Sequence, residues 1–302
     1  MLAQPVQSRA RAPMKIDSKT KAVAVKWGKR IGWTVVGVLV FFLVASNVML
    51  RTRIFRDIMA FDPESMTLEY ESAYSWFPGR IHVDGLSIRG SDSHVQWLIT
   101  VEHADTFMNP FSFARQRFSA SHATAEGVTF HMRTRKATGD LTPEMLASIP
   151  KIPGFAEAPI IVPVPPAPTD ADYKLWSVDL ESIEAKDVTD VWVDTFRFRG
   201  HMNVEGRWLF RPLRELDLGP ATVKIHDLVA TNYGAPLVTD ISGTVDVRIF
   251  PYDVRGPQGL DVLNQISTDA VISLDVPLSD AINRIADPDK VHFSGGDVLV
   301  QG

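Results

Sequence analysis

Between Phe196 and Arg211 the chain alternates with period two, and no other stretch limits the fold so tightly. The even positions are Phe196, Phe198, Gly200, Met202, Val204, Gly206, Trp208 and Phe210, all apolar or glycine. The odd positions are polar or charged except Leu209. Side chains on a strand point to opposite faces in turn, so this segment has one apolar and one wet face. Gly200 and Gly206 mark a turn, bulge or bend.

The pattern recurs. Met66, Leu68 and Tyr70 alternate with Thr67, Glu69 and Glu71. Val95, Trp97, Ile99 and Val101 form a second stripe, although Leu98 breaks its polar side. Val128, Phe130 and Met132 form a third, and Val223, Ile225, Val245, Val247 and Ile249 extend the set. Several runs start at a glycine, namely Gly85, Gly127, Gly206, Gly243 and Gly296, with spacing too uneven for a firm repeat. One-sided alternation predicts antiparallel sheet with a single apolar face. The expected fold is mainly β, a curved antiparallel sheet arranged as a groove or a sandwich, with few short helices. Two are expected, at 142–149 with Pro143 in its first turn, and at 279–286 behind Ser279. Val298 and Val300 alternate almost to Gly302. The expectation there is a longer protein or an open terminal strand edge.

Residues 135–172 interrupt the strands and hold eight of the 20 prolines. Proline is excluded from central strands, and the run from Pro163 to Pro168 favours polyproline geometry. The segment is a linker between two β regions, 57–134 and 173–302, or a long insertion within one sheet. Either way, missing ladder hydrogen bonds predict sensitivity to proteases.

Ile31 to Leu50 is twenty residues without a charge. At about 1.5 Å per residue it spans about 30 Å, the thickness of a bilayer core. It reads as a single transmembrane helix. The alternatives are a cleaved signal peptide, with Val44-Ala45-Ser46 ahead of Asn47, and a buried core helix. Residues 1–30 carry eight Lys/Arg and one acid, Asp17, whereas the whole chain has a net charge of -5. A basic tail ahead of the helix predicts a cytoplasmic N-terminus, with the body on the far side. Arg51, Arg53 and Arg56 weaken that asymmetry without reversing it. Trp27 and Trp33 are expected at the near membrane interface, Phe55 and Phe61 at the far one. The acidic body argues against nucleic acid as a partner.

Chemistry-bearing motifs do not occur. The chain has no cysteine, which removes disulfides, thiolate metal sites and cysteine nucleophiles. It lacks the phosphate-loop, dinucleotide, zinc-protease and serine-hydrolase signatures. Its eight histidines are scattered. Asp92 with His94, and His103 with Asp105, are two apart and would share a strand face, but they read as solvated positions. The sequence therefore offers no catalytic residue, cofactor site or metal ligand, and the expectation is a protein without enzymatic activity.

The segment Trp76-Phe77-Pro78-Gly79-Arg80-Ile81-His82-Val83-Asp84-Gly85-Leu86-Ser87-Ile88 follows the apolar helix. A strand with an apolar stripe comes next at Val95–Val101, then Asn109-Pro110-Phe111-Ser112, then Glu126-Gly127-Val128-Thr129-Phe130. This order resembles the start of AsmA/TamB-like proteins of Gram-negative bacteria. The resemblance covers residues 1–134 and is looser over 173–302, and members of that family are usually much longer. It implies a single-pass inner-membrane protein with a periplasmic β-groove, associated with moving phospholipid between membranes or with outer-membrane assembly. On that reading acyl chains of phospholipid are the ligand, and Phe196, Phe198, Met202, Val204, Trp208 and Phe210 are the groove candidates. The alternative is a membrane-tethered β-sandwich scaffold that binds envelope protein partners, in which the same stripe is ordinary core.

Overall fold

The computed structural model describes residues 18–52, 54–59, 66–91, 94–161, 177–211, 215–252, 265–275 and 298–301. The chain divides into two units, one up to Ala45 and one from Ser46.

The first unit holds most of helix α1, Ser18–Arg51. Its stretch Lys26–Arg51 is 26 residues long and apolar enough to cross a membrane, a test that a signal sequence also meets. Trp33 is 76% and Phe41 71% exposed, so the helix is not buried as a core helix would be.

The second unit is built on one eleven-stranded sheet. A short helix α2, Ile54–Met59, precedes β1, Met66–Glu69, β2, Ser72–Phe77, and β3, Arg80–Ser91. Then come β4, Val95–Met108, and β5, Arg117–Thr134. Helix α3, Pro143–Ser148, lies in the connection to β6, Ser177–Val193. After it come β7, Phe196–Arg211, β8, Glu215–Asn232, and β9, Ala235–Tyr252. The last two are β10, Ile266–Asp275, and β11, Val298–Gln301. From β3 onward neighbours in sequence are neighbours in the sheet, while β1 and β2 both pair with β3. All described strands belong to this one ladder and not to two facing sheets.

Most pairs are antiparallel, as the alternation predicts, but β5 and β6 run parallel. A parallel pair cannot be closed by a tight turn and needs a crossover, which residues 135–176 supply. The antiparallel pairs can turn tightly. Tyr233 and Gly234, both at positive φ (49° and 74°), form the two-residue turn between β8 and β9.

Of the two readings of residues 135–172, the described part, 135–161, fits the insertion within one sheet, because β5 and β6 on either side of it are neighbours and the segment packs on them. Ile149, Ile152, Pro150 and Pro159 are buried. Lys136 and Ile160 form a β-bridge. Thr142 caps α3 by accepting from the Met145 N–H at 3.2 Å, and Pro143 fills the first turn as expected. The proline run 163–168 and the expected helix at 279–286 lie outside the described residues.

Two hydrophobic clusters mark the core. In one, Leu50 and Phe55 pack with Tyr70, Ala73, Ile81 and Met108. The Tyr70 hydroxyl donates to the Leu50 carbonyl, and the Asn47 side chain hydrogen-bonds the Ser75 backbone in both directions. Phe55 is thus core and not an interfacial anchor, and Phe61 lies outside the described residues. The second cluster gathers Val188, Met202, Leu228, Ala230 and Ile241.

Four in-strand residues adopt φ between 51° and 65°: Gly85 (61°), Gly127 (65°), Asp187 (52°) and Asp240 (51°). At each, the apolar positions change parity. Ile81 and Val83 give way to Leu86 and Ile88, Ala123 and Ala125 to Val128 and Phe130, Ala185 to Val188, and Val238 to Ile241. The glycine-led runs at Gly85 and Gly127 follow from this, because alternation restarts where the backbone rotates by one position; Gly206 and Gly243 mark no such change, and Gly296 lies outside the described residues. Of the turn, bulge or bend expected at Gly200 and Gly206, the structure has the irregular ladder of a bulge: both lie inside β7, beside register shifts at His201/Met202 and Glu205/Trp208.

Candidate functional site

Strand pairing aligns the apolar stripes into rows that run across the sheet. One row is Leu86, Val101, Val128, Val188, Met202, Ile225, Gly243 and Ile272, each paired with the next. A second is Leu68, Ile88, Ile99, Phe130, Val191, Phe198, Ala230 and Val238. A third is Val83, Ala104, Ala125, Ala185, Val204, Val223, Val245 and Ala270. No polar side chain interrupts any of them. The face begins beside Leu50, in the buried cluster against which Met49, Val83 and Leu86 pack.

The opposite face is polar. Ser72, Asp84, His103, Glu126 and Lys186 form one of its rows. His82, Asp105, Thr124, Glu184, Glu205, Thr222, Asp246 and Asp269 form another.

The crossover lies on this polar side. Arg89, Gln96, Arg133 and Trp192, which alternate with the apolar positions, all face it. Arg133 is 1% exposed and donates to Gln96 Oε1 and to the carbonyls of Pro150, Ala156 and Glu157. Burial, and then the charge of Arg135, push its guanidinium below the ordinary value. Arg89 donates to the Pro153 carbonyl, and Trp192 Nε1 to that of Ser148. Leu98, the residue that broke the polar pattern of β4, is buried on this covered side, paired with Arg89 and His131.

Beside the crossover, Asp190 accepts from Arg197 at 2.9 and 2.8 Å and pairs with His131 at 3.0 Å. Arg197 also lies 4.3 Å from the Trp192 ring centroid. Burial pushes the Asp190 carboxyl up, but the hydrogen bonds and charges of Arg197 and His131 outweigh it and hold the group below its ordinary value. The Asp190 hydrogen bond raises Arg197 in turn. Further along, a hydrogen bond to Asp187 raises His201.

The six sequence candidates divide over this frame. Phe198, Met202 and Val204 belong to the second core cluster, with Met202 buried and the other two partly so. Phe196 is 39% exposed beyond them, and Trp208 is half-buried farther along β7. Phe210 is placed by its backbone pairing with Val178 and Leu216, and its side chain lies outside the described residues. Sequence reasoning missed the alanines of the third row, Ala104, Ala125, Ala185 and Ala270, because alanine carries little hydropathy signal in a strand. It also missed His82 and Asp84, two apart on β3, which meet His103 across the pair.

Neither protein-family models nor curated proteins match this chain.

Proposed function

We propose that this is a membrane-anchored β-groove protein whose apolar sheet face binds or conducts the acyl chains of phospholipid. The observation that carries the reading is the set of unbroken apolar rows on the face away from the crossover. A contiguous apolar face this wide suits an apolar partner, since burying apolar surface is favourable in water. Acyl chains suit it because they need no hydrogen bonds, and the rows offer none. The start of the face beside the last turn of α1 suits passage from a bilayer. The single-pass helix, the basic tail and the resemblance of residues 1–134 to AsmA/TamB-like proteins favour the inner membrane, a cytoplasmic N-terminus and a periplasmic body. They equally favour a part in lipid transport or outer-membrane assembly, without catalysis by the protein.

Photo-crosslinking amino acids at Phe198 or Val204 in cells should capture lipid, and probes at Arg197 or Glu205 on the other face should not. A parent protein that captures protein and no lipid at Phe198 would favour the scaffold reading and overturn this one.

A further inference from the structure

We propose a divalent transition-metal site of the zinc class on the polar face, formed by His82, Asp84 and His103. It is independent of the lipid reading and lies on the other side of the sheet.

The three residues come from adjacent strands, and Asp84 and His103 are direct cross-strand partners. Asp84 Oδ1 lies 3.1 Å from His82 Nε2 and 2.8 Å from His103 Nδ1. The two rings are nearly parallel, at 18°, so two imidazole nitrogens converge on one carboxylate oxygen. One potential ligand atom from each residue falls within 4.8 Å of the others. A tetrahedral zinc ion with bonds of about 2.0–2.2 Å sets its ligands about 3.3 Å apart. The pairs measured here differ from that by a few tenths of an ångström.

The surroundings orient these ligands. His82 Nδ1 lies 3.2 Å from Asp105 Oδ2, which is the carboxylate–imidazole arrangement that fixes a metal-binding tautomer. With the proton on Nδ1, the Nε2 lone pair points at the cluster. Ser72 donates to Asp84 Oδ2 at 2.7 Å, leaving Oδ1 for the ion. Two imidazoles and one carboxylate favour zinc, cobalt, nickel or copper over magnesium and calcium. The side chain of His103 is 58% exposed, so solvent reaches the remaining position. The ion would pin β3 to β4, with Ser72 of β2 held through Asp84.

The test is Zn2+ titration of the untagged full-length chain in detergent, by calorimetry and by competition with a chromogenic chelator. We expect one saturable Zn2+ per chain, lost in His82→Ala and in His103→Ala, and weakened about 10–100-fold in Asp105→Asn. His201→Ala, on the same strand system but outside the cluster, should leave binding unchanged. Co2+ should give visible d–d bands that disappear in His103→Ala. His103 is mostly exposed, so that variant keeps the fold and decides the matter if His82→Ala does not. Absence of binding in the parent, or undiminished binding in His103→Ala, would overturn the proposal.

Discussion

Arg133→Met tests whether the crossover is fastened to the polar face by a single guanidinium. Methionine keeps most of the apolar stem and removes every donor. The parent side chain is 1% exposed and serves four acceptors at 2.5–3.2 Å. A hydrogen bond to a charged group contributes about 1.5–3 kcal/mol, so the gross loss over four is about 6–12 kcal/mol. Two offsets reduce it. Ala156 and Glu157 are exposed residues whose carbonyls can return to water, whereas Gln96 and Pro150 are buried. The variant also no longer desolvates a cation. The net expectation is about 3–5 kcal/mol, the usual cost of removing one partner from a buried charged network. The loss should be local, because the β5–β6 ladder runs from Arg117 to Met132 without using Arg133. Hydrogen exchange and limited proteolysis should therefore find residues 136–160 protected in the parent and open in the variant, with the strands still protected. Trp192 should become more exposed as Ser148 leaves it. Arg133→Lys, which keeps the charge and loses the planar fork, should fall between. Protection of 136–160 unchanged in Arg133→Met would refute the reasoning, as would simultaneous melting of the strands.

Gly200→Ala should destabilise the sheet by about 2–4 kcal/mol in urea unfolding, since its φ is 149° and an added Cβ would lie 1.8 Å from the Asp227 carbonyl oxygen of β8. Gly234→Ala, with φ at 74° but nothing within 4 Å, should cost only the left-handed backbone term, about 1–2 kcal/mol. Asp190 has a folded-state value below its unfolded one, so its stabilising contribution is present above the unfolded value and is lost as pH falls through the folded one. Acid unfolding of Asp190→Asn should accordingly show a shallower dependence on pH below the ordinary carboxylate range than the parent.

The β class was legible because β7 keeps one parity from Phe196 to Phe210 despite two register shifts, so its stripe survives in the sequence. β3 hides its stripe. Ile81 and Val83 occupy odd positions and Leu86 and Ile88 even ones, and only the positive φ of Gly85 explains why one cluster holds Ile81, Val83 and Leu86. Glycine at 85 and 127 left a visible mark. Asp187 and Asp240 perform the same rotation with residues that give no such signal, since aspartate tolerates the left-handed region. The parallel β5–β6 pair was illegible for another reason. Strand direction is not encoded in alternation, which reads the same along either sense of the chain.

The covered side of the sheet explains why the site could be read only in part. Alternation assigns two faces but does not say which one a later segment will occupy. Leu98 and Arg133 carry that information, and each looks like an error in isolation: an apolar residue on the polar side, and a cation with no carboxylate. Together with Arg89 and Trp192 they show that the crossover takes the polar face, with carbonyl oxygens of 150–157 serving as the acceptors for Arg89 and Arg133. Proline-rich backbone suits that role, because proline keeps its carbonyl while losing the N–H, and Pro150 and Pro153 both accept here. The choice of face then has a consequence for the other side. Among the described residues the crossover is the longest segment outside the strands of the second unit, and it lies away from Phe198, Met202 and Val204. Among the described residues the stripe is therefore packed by its own neighbours in the sheet, with Phe198 and Val204 partly buried and Met202, between them along β7, 7% exposed.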